Sequence, residues 1–111
     1  GEAVNAAGQR DSQADTQPAR WTDMGIQVDG RDDLAHIVVF DHPDNKGFPV
    51  SWRIDSQLGF GPSRQIVGDW TLEKGKTEVF RYRLIVYTGL LNPVDMTRTW
   101  EAYIKESRRL M

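Results

Sequence analysis

The stretch TEVFRYRLIVYT, Thr77 to Thr88, carries the clearest two-residue period in the chain. Phe80, Tyr82, Leu84 and Val86 fall on one side, and Val79, Arg81, Arg83, Ile85 and Tyr87 on the other. Successive side chains of a strand point to opposite faces of its sheet. The period therefore predicts a strand whose Phe80–Val86 face lies on a core and whose Arg-bearing face is partly wet. Just upstream, Glu73-Lys74-Gly75-Lys76 reads as a polar turn. Ile66, Trp70 and Leu72 before it lie in phase, so the two segments read as a hairpin with Trp70 in the core.

Working toward the N-terminus, the same alternation recurs. Gly59-Phe60-Gly61-Pro62 is a sharp break, and Val50, Trp52 and Ile54 alternate with Ser51, Arg53 and Asp55. Leu34 to Phe40 is apolar on both faces, as in a strand buried on two sides. Met24, Ile26 and Val28 alternate up to the Asp29-Gly30 turn signal. Residues 1–20 contain Val4 as their one large apolar residue. Such a segment cannot offset its own ordering entropy, so it reads as a polar arm or loop that is ordered only against something else.

The C-terminus changes period. Asn92 suits an N-cap, Pro93 the first helical position, and Asp95 the first turn, where the helix dipole favours an anion. Met96, Trp100, Tyr103, Ile104, Ser107 and Met111 share one face at helical spacing. The expectation is an all-β protein, mainly an antiparallel β-sandwich over residues 21–111, with one C-terminal α-helix at 92–110.

Bulk properties narrow the function. A chain of 111 residues is one domain at most. A formal net charge of −2 carries no nucleic-acid footprint. The absence of cysteine removes disulfides, thiolate metal sites and a cysteine nucleophile. The longest apolar run, Ile37 to Phe40, is too short to span a bilayer. The glycine at position 1 is read as a processing boundary, which leaves an exported or periplasmic parent open. His36 and His42 lie about 20 Å apart on a straight strand and share a metal only if the chain folds back after Phe40; no metal and no cofactor is expected. His36, between Leu34 and Val38, reads as a core histidine with a satisfied hydrogen bond.

The loop FDHPDNKGFPVSW, Phe40 to Trp52, is the richest in chemistry. Histidine exchanges protons near neutral pH and a carboxylate orients its ring, which makes His42 a candidate proton carrier and Asp41 its orienter. Asp44 and Asn45 are candidate ligand contacts in the same loop. The competing reading is a stiff turn, because Asp and Asn bond their own backbone and Pro fixes φ. Trp52 is the candidate platform for stacking on a sugar ring, and Arg64, after the glycine-rich bend, a candidate polar clamp.

Four blocks resemble the C-terminal portion of the bacterial PmoA-like family: Ala19-Arg20-Trp21-Thr22-Asp23, Val38 to Asn45, Pro49-Val50-Ser51-Trp52-Arg53 and Arg81 to Tyr87. The likeness runs over nearly the whole chain, and FDHP-N-PVSW is its most specific part. The resemblance implies a strand-rich sandwich akin to proteins of carbohydrate metabolism, often exported, with His42, Asp41 and Trp52 at the matching motif positions. It also implies that this chain is a terminal piece of a longer protein. It does not bring oxygenase chemistry with it, because the methane oxygenase subunit of that name is a membrane protein and no segment here is long and apolar enough to span a bilayer.

Two functions follow as expectations. One is a carbohydrate-related module, binding a glycan or forming part of a sugar-processing site; whether it is an enzyme stays open. The other is a non-catalytic structural or assembly domain. A sandwich cut from a longer chain leaves strand edges unpaired, so a homo-oligomer is expected unless the remainder of a parent chain covers them, with the 1–20 arm crossing to a neighbour.

Overall fold

The computed structural model describes residues 1–55 and 59–110. Six strands and one helix follow in order: β1 (Glu2–Asn5), β2 (Trp21–Gln27), β3 (Leu34–Phe40), β4 (Trp52–Ile54), β5 (Phe60–Pro62), β6 (Arg83–Thr88) and α1 (Pro93–Leu110). Every pairing is antiparallel, in a four-stranded sheet of order β1-β2-β3-β6 and a two-stranded sheet β4-β5. The expected fold class, antiparallel β with a single C-terminal α-helix, is what the chain adopts.

The four-stranded sheet is the middle layer of three. In register, Trp21 faces Phe40 and Asp23 faces Val38, so these side chains share one surface of the sheet. Trp100, Tyr103 and Ile104 of α1 pack on that surface, joined by Ile85, Leu91 and Met96. The helical stripe predicted from spacing is therefore the buried face of α1; Met111 lies outside the described residues. Asn92 caps the helix as its type predicts, accepting the Asp95 N–H at 3.1 Å. Across the sheet, Ala3 and Val39 meet Val50, Trp52 and Ile54 from the β4-β5 layer.

Residues 1–20, expected as an arm or loop, are built into the sheet. Residues 2–5 are an edge strand, and Pro18 forms an isolated bridge with Ser51. Ala3, Ala14 and Ala19 are buried although none is large. A count of bulky residues misses this, because alanine fills a narrow gap against a sheet as effectively as leucine fills a wide one. The segment's side chains also hold main chain, Asp11 Oδ1 accepting the Ala3 N–H of its own strand at 2.9 Å and Asp15 Oδ1 the Ile54 N–H of β4 at 2.8 Å.

The region read as a hairpin also differs. Residues 64–67 form a short 3-10 turn, and the strand predicted from Thr77 begins only at Arg83. Lys76 N–H does bond Glu73 O at 3.0 Å, so the turn exists, but no paired strands flank it. Trp70, expected in the core, is 38 % exposed. More telling, β6 is inverted relative to its pattern. Leu84 and Val86 are 63 % and 72 % exposed, whereas Ile85 and Tyr87 pack beneath the helix. The arginine of the inner face, Arg83, escapes by placing its guanidinium 4.7 Å over the Tyr103 ring and bonding Glu106 at 3.0 Å.

Candidate functional site

The loop after β3 is a hydrogen-bonded knot. Asp41, fully buried, accepts the His42 N–H (2.9 Å) and the Asn45 side-chain amide (2.7 Å) on one oxygen, and the Val50 N–H (2.9 Å) on the other. Asp41 therefore orients the main chain of the loop and not the ring of His42. Asn45 carries the connection onward. Its amide donates to Arg81 O and its carbonyl accepts the Arg81 N–H, both at 2.7 Å, as a neighbouring strand would. The Phe48–Pro49 peptide inside the loop is cis.

His42 is not on the rim of the sheets but sealed, with none of its surface exposed. Its Nε2 lies 2.6 Å from Ser107 Oγ on α1, and Asp44 stands on its other side. Ser, His and Asp in this order look like a nucleophile triad, but the proton polarity is reversed. Nδ1 accepts the Asp44 N–H at 3.0 Å, so it carries no proton, and Nε2 must carry the ring's proton and donate it to Ser107. Ser107 in turn donates to Ile104 O at 2.9 Å. A base needs a free lone pair facing the serine, and here a bound proton faces it. Burial pushes the His42 pKa below its ordinary value, in keeping with a neutral ring. Spacing places Ser107 in the helical stripe and gives no sign that it meets position 42.

Trp52 is also fully buried, donating its indole N–H to Ala19 O at 2.9 Å. Its ring stacks on Phe60 at 6.2 Å and not on open solvent. Asp44 is exposed, its carboxylate 3.8 Å from the Arg108 guanidinium. Of the six residues singled out, Arg64 borders an open hollow of about 290 Å³, together with Ser63, Gln65, Trp70, Phe80 and Tyr82. The Arg64 guanidinium sits 4.3 Å from the Trp70 ring centre and 5.6 Å from that of Phe80. Its Nη1 donates to Glu78 Oε1 at 2.8 Å. The Asp41–Asn45 knot fixes the main chain at Arg81, between the two aromatic walls Phe80 and Tyr82. Trp70, Phe80 and Tyr82 were missed because their phase suggested a core face.

At the opposite end of β3 lies a second polar cluster. His36 is buried, as its apolar neighbours predict, and both its ring nitrogens are bonded. Nδ1 is 2.7 Å from Asp23 Oδ1, and Nε2 is 2.8 Å from Gly89 O. The Tyr87 hydroxyl donates to the other Asp23 oxygen, and the Tyr87 ring lies flat on the imidazole at 4.4 Å. Burial alone lowers the His36 pKa, but the bonds to Asp23 and Gly89 and the negative charges of Asp23 and Glu2 outweigh it, and the net direction is upward. Burial and the bond to Asp23 likewise raise the Tyr87 pKa.

Among the described residues, no three His, Asp or Glu side chains are placed to hold a metal ion. No helix among them is long and apolar enough to cross a membrane. No curated protein and no solved structure matches the chain. Nothing links it to PmoA, and of the resemblance drawn from the motifs a domain of unknown function is what the comparison supports. Residues 1–101 match the family described as a family of unknown function, DUF6807, and the chain belongs to that family.

Proposed function

We propose that this domain is a glycan-binding module that takes a neutral sugar in the hollow bordered by Arg64, Trp70 and Tyr82. The observation that carries the reading is the Arg64 guanidinium, paired with Glu78 and set against aromatic rings, at the border of the open hollow. The arginine supplies hydroxyl groups with donors, and the Glu78 carboxylate that accepts from it offsets its charge, which suits a neutral ligand. Exposed Trp70 and Tyr82 add apolar faces of the kind that stack on the C–H side of a sugar ring. In this reading Asp41 and Asn45 are scaffold, His42 is packing, and Trp52 is core.

The test is a glycan array followed by calorimetric titration of the sugars retained, with the chain and with its Arg64→Ala and Trp70→Ala variants. Binding of neutral glycans lost in both variants is the expected result. Retention of none, or equal affinity in Arg64→Ala, defeats the proposal.

A second reading, an assembly domain, is favoured by the outer face of β6. Leu84 and Val86 adjoin Ile37 and Ile26, all at least 39 % exposed, and among the described residues the strand registers put no charged side chain on this face of the sheet. An uncharged face beside an unpaired edge is compatible with itself, so a second copy is the proposed occupant. Light scattering should show a dimer that Leu84→Glu returns to monomer. A monomer at high concentration counts against it.

A further inference from the structure

We propose that His36 is a pH-operated latch on the connection between β6 and α1: with both ring nitrogens protonated it ties Gly89 to Asp23, and on losing one proton it lets the connection go. The geometry leads here. Gly89 O can only accept, so the nitrogen facing it, Nε2, must carry a proton. Nδ1 faces a carboxylate oxygen whose partner oxygen already accepts the Tyr87 hydroxyl, so a second proton must lie between Nδ1 and Asp23. Two protons on one buried imidazole–carboxylate pair are the condition for both bonds. Remove one, and the ring must either turn a lone pair toward Gly89 O or abandon Asp23; the charge of Asp23 favours keeping the proton on Nδ1.

What the latch holds is the start of the helix connection. Gly89 takes φ of +105°, a conformation side chains other than glycine rarely adopt, and its N–H bonds Leu34 O at 3.0 Å. The chain then runs through Leu90 and Leu91 to α1. These residues and Pro93 wall a hollow of about 400 Å³ with His36 and Asp23 at its floor. The charged and titratable groups that face the latch are Glu2 from β1, Asp23 from β2, Tyr87 from β6, and Arg10, Asp32 and Asp33 from the loops; among the described residues α1 contributes only Pro93. Asp33 is paired with Arg31, so the negative charges that favour the second proton are those of Asp23 and Glu2. His42, sealed beneath the far end of the same helix, is already neutral and has no such proton to lose.

The experiment uses the whole chain, with ring nitrogens followed by nitrogen NMR and amide exchange followed residue by residue, from about pH 5 to pH 9. Both His36 nitrogens should be protonated at neutral pH. As one proton leaves, the protection factor of the Gly89 amide, its exchange rate taken relative to that of an unfolded amide at the same pH, should fall at least about tenfold, the change expected when one charge-assisted hydrogen bond is lost. Asp23→Asn should bring that fall in protection to a lower pH, and His36→Gln should leave the protection factor of Gly89 independent of pH. If His36→Gln does not fold, the Asp23→Asn titration decides by itself. A single proton on the His36 ring and on Asp23 together at pH 6, or Gly89 protection indifferent to the ring's titration, overturns the proposal.

Discussion

The two ends of β3 hold one histidine each, and the two are buried in opposite ways. His42 receives an N–H on Nδ1 and spends its single proton on Ser107, so it is neutral and lowered in pKa. His36 meets an acceptor on both nitrogens and is raised. Exclusion from water acts on both and favours the neutral ring in each case. The difference comes from the partners: a main-chain donor at one end, a carboxylate and a main-chain carbonyl at the other. Burial of a titratable group is therefore a weak guide to its role until the direction of each hydrogen bond is known.

The comparison can be broken most severely at the His42 end. Asp41→Ala strips the acceptor from three buried donors at once, and we expect a loss of about 4 kcal/mol in denaturant unfolding. His42→Ala should follow at about 3 kcal/mol, from the cavity and the two orphaned partners, Ser107 and the Asp44 N–H. A His42→Ala protein that melts like the wild type but loses ligand would restore the catalytic reading of this residue.

The pH dependence sharpens the same contrast. A raised histidine contributes stability that is complete below its unfolded pKa of 6.5 and is lost as pH climbs through the folded value. A lowered histidine behaves in the other sense: its unfolded form binds a proton first, so stability falls as pH drops from 6.5 through the folded value. Each slope is bounded by about 1.4 kcal/mol per pH unit. His36→Gln should flatten the loss above pH 6.5, and His42→Gln the loss below it, in unfolding curves taken at each pH. If both variants flatten the same limb, the two environments are not opposite.

The smallest effect on stability is expected at the open hollow. Trp70→Ala removes a half-exposed ring and should cost under about 1 kcal/mol, while abolishing any binding that depends on it. A large stability loss there would make Trp70 a structural residue.

Much of the architecture was legible in side-chain period. Leu34–Phe40 is a strand as its apolar phases predict, buried on both faces only toward Phe40 while Ile37 stays exposed, and Asn92-Pro93 with the 96–107 stripe marks a helix and its buried side. Period failed where it met competition. Phe80 to Val86 is the more apolar phase of its segment, yet α1 covers the other phase, because the side of β6 that meets the helix is set by its register with β3, and Tyr87 is needed against His36 and Asp23. The candidate site was legible as residue types and not as a place. The loop's Asp, His and Asn are indeed its hydrogen-bonding heart, but their bonds point inward.

The amino-acid order thus determined what is local: which segments pleat, where the helix begins, which stripe of it is greasy, and which chemistries lack the atoms to exist. The assembled layers decided everything that needs two distant segments to meet, including the Ser107 partner of His42, the Asp23–His36–Gly89 chain, and the aromatic bracket around Arg64. The physical reason is that a period reports only how a segment divides its side chains between two sides. Which side becomes interior, and whether a buried ring gains a donor or an acceptor there, depends on neighbours dozens of residues away.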